Sequence, residues 1–309
     1  MCTVKPFIQP SKEGVRVLQA TDIINDVHIH VNPFSKLHKP AFDFFATNPD
    51  FRENNRKIEN DPSYLIKRMD EDGVSRAVLI NYVAREVIGY DLSVNEYVYR
   101  YTRDYRDRLL AFGGVDLELD GSEFIKEVET AYSKYELAGF KLHPVHQLVY
   151  PNQYLSEHGE KANKNLERFY EFCSQHNIPV TVHTGTSMFP KARIKYGNPL
   201  YLDDVLADFP KLRLIMAHGG RPLWTESAFF LMRRHRNLYL DISGIPPSRL
   251  LDYFPRIAEI GERVMFGSDW PSPGVKGMLA NARELLNLNI DENIKQRILR
   301  KNFDEFFKV

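Results

Sequence analysis

The feature that most restricts the fold of this chain is an alternation of short apolar runs with helical patterns, repeated eight times. Asp26–Val31, Ser75–Tyr82, Leu109–Asp116, Gly139–His143, Pro179–Thr184, Leu212–His218, Leu238–Ser243 and Val264–Asp269 read as strands. Helical patterns follow at Ser63–Asp72, Ser93–Tyr105, Ser122–Glu136, Asn163–His176, Tyr201–Asp208, Trp224–His235 and Ser248–Ile260, and Val275–Leu288 and Glu292–Asn302 close the chain. Eight strand–helix units in 309 residues predict an α/β protein, a (β/α)8 TIM barrel. A doubly wound open sheet is the runner-up. It is disfavoured because no Gly-x-Gly-x-x-Gly follows an early strand.

Five of these runs end in residues that bind metals or move protons: Asp26-Val27-His28-Ile29-His30, Gly139-Phe140-Lys141-Leu142-His143, Val180-Thr181-Val182-His183, Ile215-Met216-Ala217-His218 and Met265-Phe266-Gly267-Ser268-Asp269. A closed parallel barrel brings the C-terminal ends of its strands to one mouth, whereas an open sheet would scatter them. His28 and His30 are two apart and share a strand face. Three imidazoles and a carboxylate suit a divalent metal, Zn²⁺ first, with Mn²⁺, Fe²⁺ or Ni²⁺ as alternatives. A lone His-x-His carries little weight; its force comes from the His and Asp residues that end the other strands.

His218 precedes Gly219-Gly220-Arg221-Pro222, a loop with room for a substrate atom, and reads as a general acid/base or a further ligand. Lys141 and His143 share one face, with Phe140 and Leu142 turned toward the helices. A lysine aimed into a barrel is costly unless used or paired, so Lys141 and His143 are candidates for substrate binding or a second metal. Arg221 is a candidate for binding an anion, with Lys191, Arg193 and Lys195 as weaker support. Asp241 is a candidate support for a ligating imidazole. His146 reads as exposed, and His38, His158, His176 and His235 as solvated.

One segment, Asn32 to Asp61, is far longer than an ordinary βα connection and is rich in phenylalanine. It leaves the barrel at His30 and is expected to cap the mouth; the competing reading is an oligomer contact, giving a homo-oligomer. Shorter excursions, Pro144–Lys164 and Gly185–Leu200, leave from the same rim. No repeat or linker divides the chain, so 1–309 is expected to be a single domain with 32–61 as a cap insertion. Lysine plus arginine and aspartate plus glutamate number 41 each, so no net field draws in nucleic acid or a membrane surface. Two separated cysteines, Cys2 and Cys173, and a start, Met1 to Pro10, without an apolar signal-like run suit a soluble cytoplasmic protein.

Val27-His28-Ile29-His30, Val182-His183-Thr184, Ala217-His218-Gly219-Gly220 and Phe266-Gly267-Ser268-Asp269-Trp270-Pro271 together resemble the motifs of the amidohydrolase superfamily. The nearer resemblance is to its amidohydrolase-2, or aminocarboxymuconate-semialdehyde-decarboxylase-like, branch. The motifs occur in the family's order and span nearly the whole chain. The resemblance implies a (β/α)8 barrel with metal ligands His28, His30, His183 and Asp269, and His218 as the catalytic histidine of the sixth strand. Lys141 aligns roughly with the fourth-strand lysine of binuclear relatives. The expected function is a metal-dependent hydrolase: the metal acidifies a water, His218 and Asp269 manage its proton, and the water attacks a carbonyl of a small anionic substrate. The alternatives are a non-oxidative decarboxylase or hydratase of an unsaturated or aromatic acid, and, from another class, an inactive barrel that only binds.

Overall fold

Strands β1 (Ile24–Ile29), β2 (Val74–Ile80), β3 (Leu109–Gly113), β4 (Gly139–Leu142), β5 (Val180–His183), β6 (Leu214–Ala217), β7 (Leu238–Asp241) and β8 (Val264–Met265) form one parallel sheet in sequence order. The computed structural model describes residues 23–308; the readings made on Cys2 and on Met1 to Pro10 lie outside them. The sheet closes on itself through Val27 N to Phe266 O (2.9 Å), Asp269 N to His28 O (2.9 Å) and His30 N to Trp270 O (2.8 Å). The fold is therefore a (β/α)8 barrel.

The strands are shorter at their polar ends than hydrophobic patterning alone predicts. β6 stops at Ala217 and β8 at Met265. His218 and Asp269, which follow, take φ of +67° and +64°, a left-handed conformation that no strand accommodates. The helix expected over Ser248–Ile260 is instead a short turn, Pro247–Arg249, that runs into Leu250–Tyr253 and, interrupted at Pro255, resumes as Ile257–Arg263. The last helical segment, Asn302–Phe307, seals the N-terminal end of the barrel. Its Phe306 ring lies 4.5 Å from Tyr239 and its Phe307 ring 6.1 Å from Phe112, while Asp304 accepts a hydrogen bond from Asn25. Only the opposite end is left as a mouth.

The long connection after β1 is mostly helical rather than irregular. It holds a short turn, Phe34–Lys36, and helices Lys39–Phe45 and Pro49–Asn60. Asn48 caps the second helix by accepting from Asp50 N, with Pro49 at the first helical position, and Asp61 with Pro62 starts Pro62–Glu71 in the same way. Phe34, Phe45 and Phe51 pack at 4.8–5.7 Å between ring centres and form a small core of the insertion. Trp270 Nε1 donates to Asp50 (2.8 Å) and Asn48 Nδ2 to Ser272 O (2.9 Å), which tie the insertion to the segment after β8.

Candidate metal centre at the barrel mouth

His28 and His30 emerge from the end of β1, and Asp269 from the segment after β8, which is the neighbour of β1 in the closed barrel. Their side chains meet: His28 Nε2 lies 3.3 Å from His30 Nε2, and Asp269 Oδ1 lies 3.2 Å from His30 Nε2 and 3.7 Å from His28 Nε2. Among the described residues this is the group of three that could hold one metal ion. The Gly267 backbone makes it possible, since a Cβ there would stand 2.5 Å from Asp241 Oδ1 and 2.9 Å from His28 Cβ. The glycine in Phe266-Gly267-Ser268-Asp269 thus answers a packing demand.

His28 is held by a partner on β7. Its Nδ1 lies 2.5 Å from Asp241 Oδ2, and Ser243 Oγ donates to the same carboxylate oxygen at 2.9 Å. A carboxylate accepts, so Nδ1 carries the proton and the Nε2 lone pair faces the cluster. His218 is oriented likewise: its Nδ1 lies 2.7 Å from the Ser243 carbonyl, which leaves Nε2 free toward the cavity. The His218 ring is 5.0 Å from His28 and 4.8 Å from His183.

His183 ends β5 and lies across the mouth, outside the group of three. Both its ring nitrogens are buried without a hydrogen-bond partner, and its ring stacks on His143 at 3.9 Å. Lys141 is fully buried and its ammonium has no partner, so it is not the half of an ion pair. Phe140 turns outward against Phe169 (5.4 Å), the orientation expected of it. Arg221 reaches the cavity with its Nε buried and unpartnered. Gly244 makes room for its guanidinium, because a Cβ there would fall 2.5 Å from Arg221 Nη2 and 3.1 Å from Asp269 Oδ2.

Burial governs the protonation of this site. It lowers the His28 pKa, with Lys141 adding to the effect and Asp241 opposing it. It takes His183 well below the ordinary histidine value and His218 down to about 3. Neutral imidazole is the form that ligates a metal. Burial brings Lys141 down to about 8. The Asp269 carboxyl, although buried, is held below its usual range by the His30 hydrogen bond and the neighbouring imidazoles.

Three expectations fail here. His146 is not exposed: it is 2% accessible and lines the cavity. Lys191, Arg193 and Lys195 lie on the surface and none lines the cavity; Lys195 sits over the Tyr196 ring at 4.8 Å instead. His235 is buried and bonded to Asp203 at 2.6 Å. The sequence did carry a signal for His146. In His143-Pro144-Val145-His146 the proline starts a helical turn, Pro144–Gln147, so two histidines three apart stack at 3.6 Å. Tyr82, just past β2, and Ser187, after β5, also line the cavity and were not singled out.

The cavity above these groups measures about 240 Å³. Phe44 and Phe45 of the insertion and Phe189 of the loop after β5 line it, with Phe44 and Phe189 5.0 Å apart. Among the described residues no helix is long and apolar enough to cross a membrane.

The chain belongs to the amidohydrolase family, whose model matches residues 25–309. Several solved structures share its fold. An uncharacterized TIM-barrel protein from Bordetella bronchiseptica is 20% identical, with a TM-score of 0.71 over 92% of this chain and 99% of that one. A 5-carboxyvanillate decarboxylase from Novosphingobium aromaticivorans, complexed with manganese and 4-hydroxy-3-methoxy-5-nitrobenzoic acid, is 14% identical, with a TM-score of 0.65 over 94% of this chain and 97% of that one. A probable 2-pyrone-4,6-dicarboxylic acid hydrolase from Acinetobacter baumannii, with citric acid bound, is 15% identical, with a TM-score of 0.61 over 93% of this chain and 99% of that one. No protein of curated function matches the chain by sequence.

Proposed function

We propose that the chain is a metal-dependent hydrolase that opens a carbonyl-type bond, lactone, amide or ester, of a small anionic substrate. The observation that carries this reading is the donor set at the mouth. An ion bonded at about 2.0–2.1 Å in a tetrahedral site has ligand atoms roughly 3.3–3.4 Å apart. The separations within His28, His30 and Asp269 are 3.3, 3.2 and 3.7 Å. His183, with its two unpartnered buried nitrogens, is the fourth donor. These spacings support zinc as the first candidate, with manganese, iron or nickel as the alternatives. When bound, such an ion supplies Lewis acidity, polarising a carbonyl and making water acidic enough to attack.

The protein's own groups do the rest. His218 Nε2, fixed by the Ser243 carbonyl on the other side of its ring, is free to take and return a proton at the reacting centre, and the second oxygen of Asp269 shares that task. Arg221 anchors the anionic end of the substrate. Lys141 and His143 stand ready for a further substrate group or a second ion. The insertion at 32–61 is the cap that excludes water, as Phe44 and Phe45 in the cavity wall suggest, within a single domain. The unpaired buried Cys173 fits a reducing, cytoplasmic setting.

A second reading, a non-oxidative decarboxylase of an aromatic acid, draws on the phenylalanine-walled cavity and on the decarboxylase of the same fold. Elemental analysis of the purified chain and of His28→Ala and Asp269→Ala tests the metal site. The parent is expected to carry a divalent ion that both variants lose while staying folded, since strand-end substitutions spare the packed layers; full occupancy in both variants overturns it. Lactones then separate hydrolysis, with acid release and no gas, from decarboxylation of aromatic acids, with CO₂.

A further inference from the structure

In the cavity wall that Arg221 also lines, three side chains from three elements form a hydrogen-bonded chain. His146 Nδ1 lies 3.1 Å from the Tyr82 hydroxyl, and His146 Nε2 lies 2.7 Å from Ser187 Oγ. Tyr82 follows β2, His146 sits in the turn after β4, and Ser187 lies in the loop after β5; all three line the cavity. Ser187 Oγ also accepts from Phe189 N at 3.3 Å. His146 is buried between Tyr82, His143 and Phe189 with no carboxylate on either nitrogen, so its ring is neutral and has one donor and one acceptor.

That count has a consequence for the two hydroxyls. With the proton on Nδ1, the ring donates to Tyr82 and accepts from Ser187, and the Tyr82 O–H is left to point into the cavity. With the proton on Nε2, the ring donates to Ser187 and accepts from Tyr82, and the Ser187 O–H is the free one. In either state the wall offers one hydroxyl donor and one hydroxyl acceptor. We infer that Tyr82, His146 and Ser187 are specificity-determining residues that recognise an uncharged hydroxyl or carbonyl on the substrate, the tautomer of His146 assigning the single free donor to one side or the other. The recognition step rests on the anion reading of Arg221, which anchors the substrate's charged group in the same cavity; the tautomer exchange does not.

The tautomer is measured directly by long-range ¹H–¹⁵N correlation on the full chain, with His146 assigned by its loss in His146→Gln. A buried N–H without a partner is rarer and costlier than an acceptor without one. Ser187→Ala is therefore expected to place the proton on Nδ1, against Tyr82, and Tyr82→Phe to place it on Nε2, against Ser187. The same tautomer in both variants overturns the exchange. Recognition is read by calorimetry with benzoate and the three monohydroxybenzoates. At least one hydroxy isomer is expected to bind the parent about 3–10-fold more tightly than benzoate, the worth of one net hydrogen bond. Tyr82→Phe combined with Ser187→Ala should remove that gap between the hydroxy isomer and benzoate. Equal binding of all four to the parent overturns the recognition step alone. Binding of none overturns the anion reading of Arg221 and the recognition step with it, and leaves the tautomer result to stand or fall separately.

Discussion

Asp241 does for His28 what a ligand cannot do for itself: it decides which nitrogen carries the proton. The 2.5 Å contact to Nδ1 commits Nε2 to the cluster, and Ser243 braces the carboxylate, through Oγ on the same oxygen and through its backbone N–H on the other. Asp241→Asn keeps the shape and removes the charge, so metal affinity should fall about 10–100-fold, read by competition with a chelator. An unchanged affinity would mean that His28 is oriented by packing alone. In the proposed site His28, His30, His183 and Asp269 already supply four donors for one ion, which leaves His218, fixed through Nδ1 by the Ser243 carbonyl, for acid/base work. His218→Asn should retain the metal and lose about 10²–10⁴-fold in turnover. Loss of the metal in that variant would make it a ligand instead.

At the scale of elements, the insertion is the part of the fold that departs most from a bare barrel. Its own aromatic core stabilises it, and Phe44 and Phe45 reach the cavity beside Phe189. Replacing both Phe44 and Phe45 by alanine should raise KM at least several-fold and leave metal content untouched, because the proposed ligands belong to the barrel. If kinetics stay as in the parent while light scattering reports a smaller assembly, the segment is an oligomer contact and not a cap. The position of this segment was legible in the sequence, since its length after the first strand is abnormal. Its helices were less so, although Asn48-Pro49 and Asp61-Pro62 carry cap-then-proline starts that periodicity overlooks. The barrel was legible because its strands are buried on both faces and read as apolar runs. The turn of His218 and Asp269 into left-handed backbone was not, because dihedral angles leave no trace in hydrophobic patterning. The burial of His146 was not legible because it comes from Tyr82, Ser187 and Phe189, which are remote in sequence.

The whole molecule keeps its two ends distinct: phenylalanines of Asn302–Phe307 close one, and titratable groups gather at the other. This polarity places Asp26 in fully enclosed surroundings on β1, where its Oδ1 accepts from His28 N and Ser268 N, both at 3.0 Å, and its Oδ2 has no partner. Burial raises its pKa from 3.8 to about 7, against those hydrogen bonds. Between these two values the folded chain holds a proton that the unfolded chain has released. The stability Asp26 contributes is therefore complete below the unfolded value and is lost as pH rises through about 7. In Asp26→Asn the amide oxygen accepts the same two backbone hydrogen bonds and the side chain never ionises. Urea unfolding of the metal-stripped parent and of Asp26→Asn should thus give curves that lie close at pH 4 and separate toward pH 8, the variant becoming the more stable by at most about 4 kcal/mol. The comparison cancels every other titrating group, which both proteins share. Parallel curves across that range would mean that Asp26 is ionised in the folded barrel, the donors from Ser268 and His28 outweighing burial.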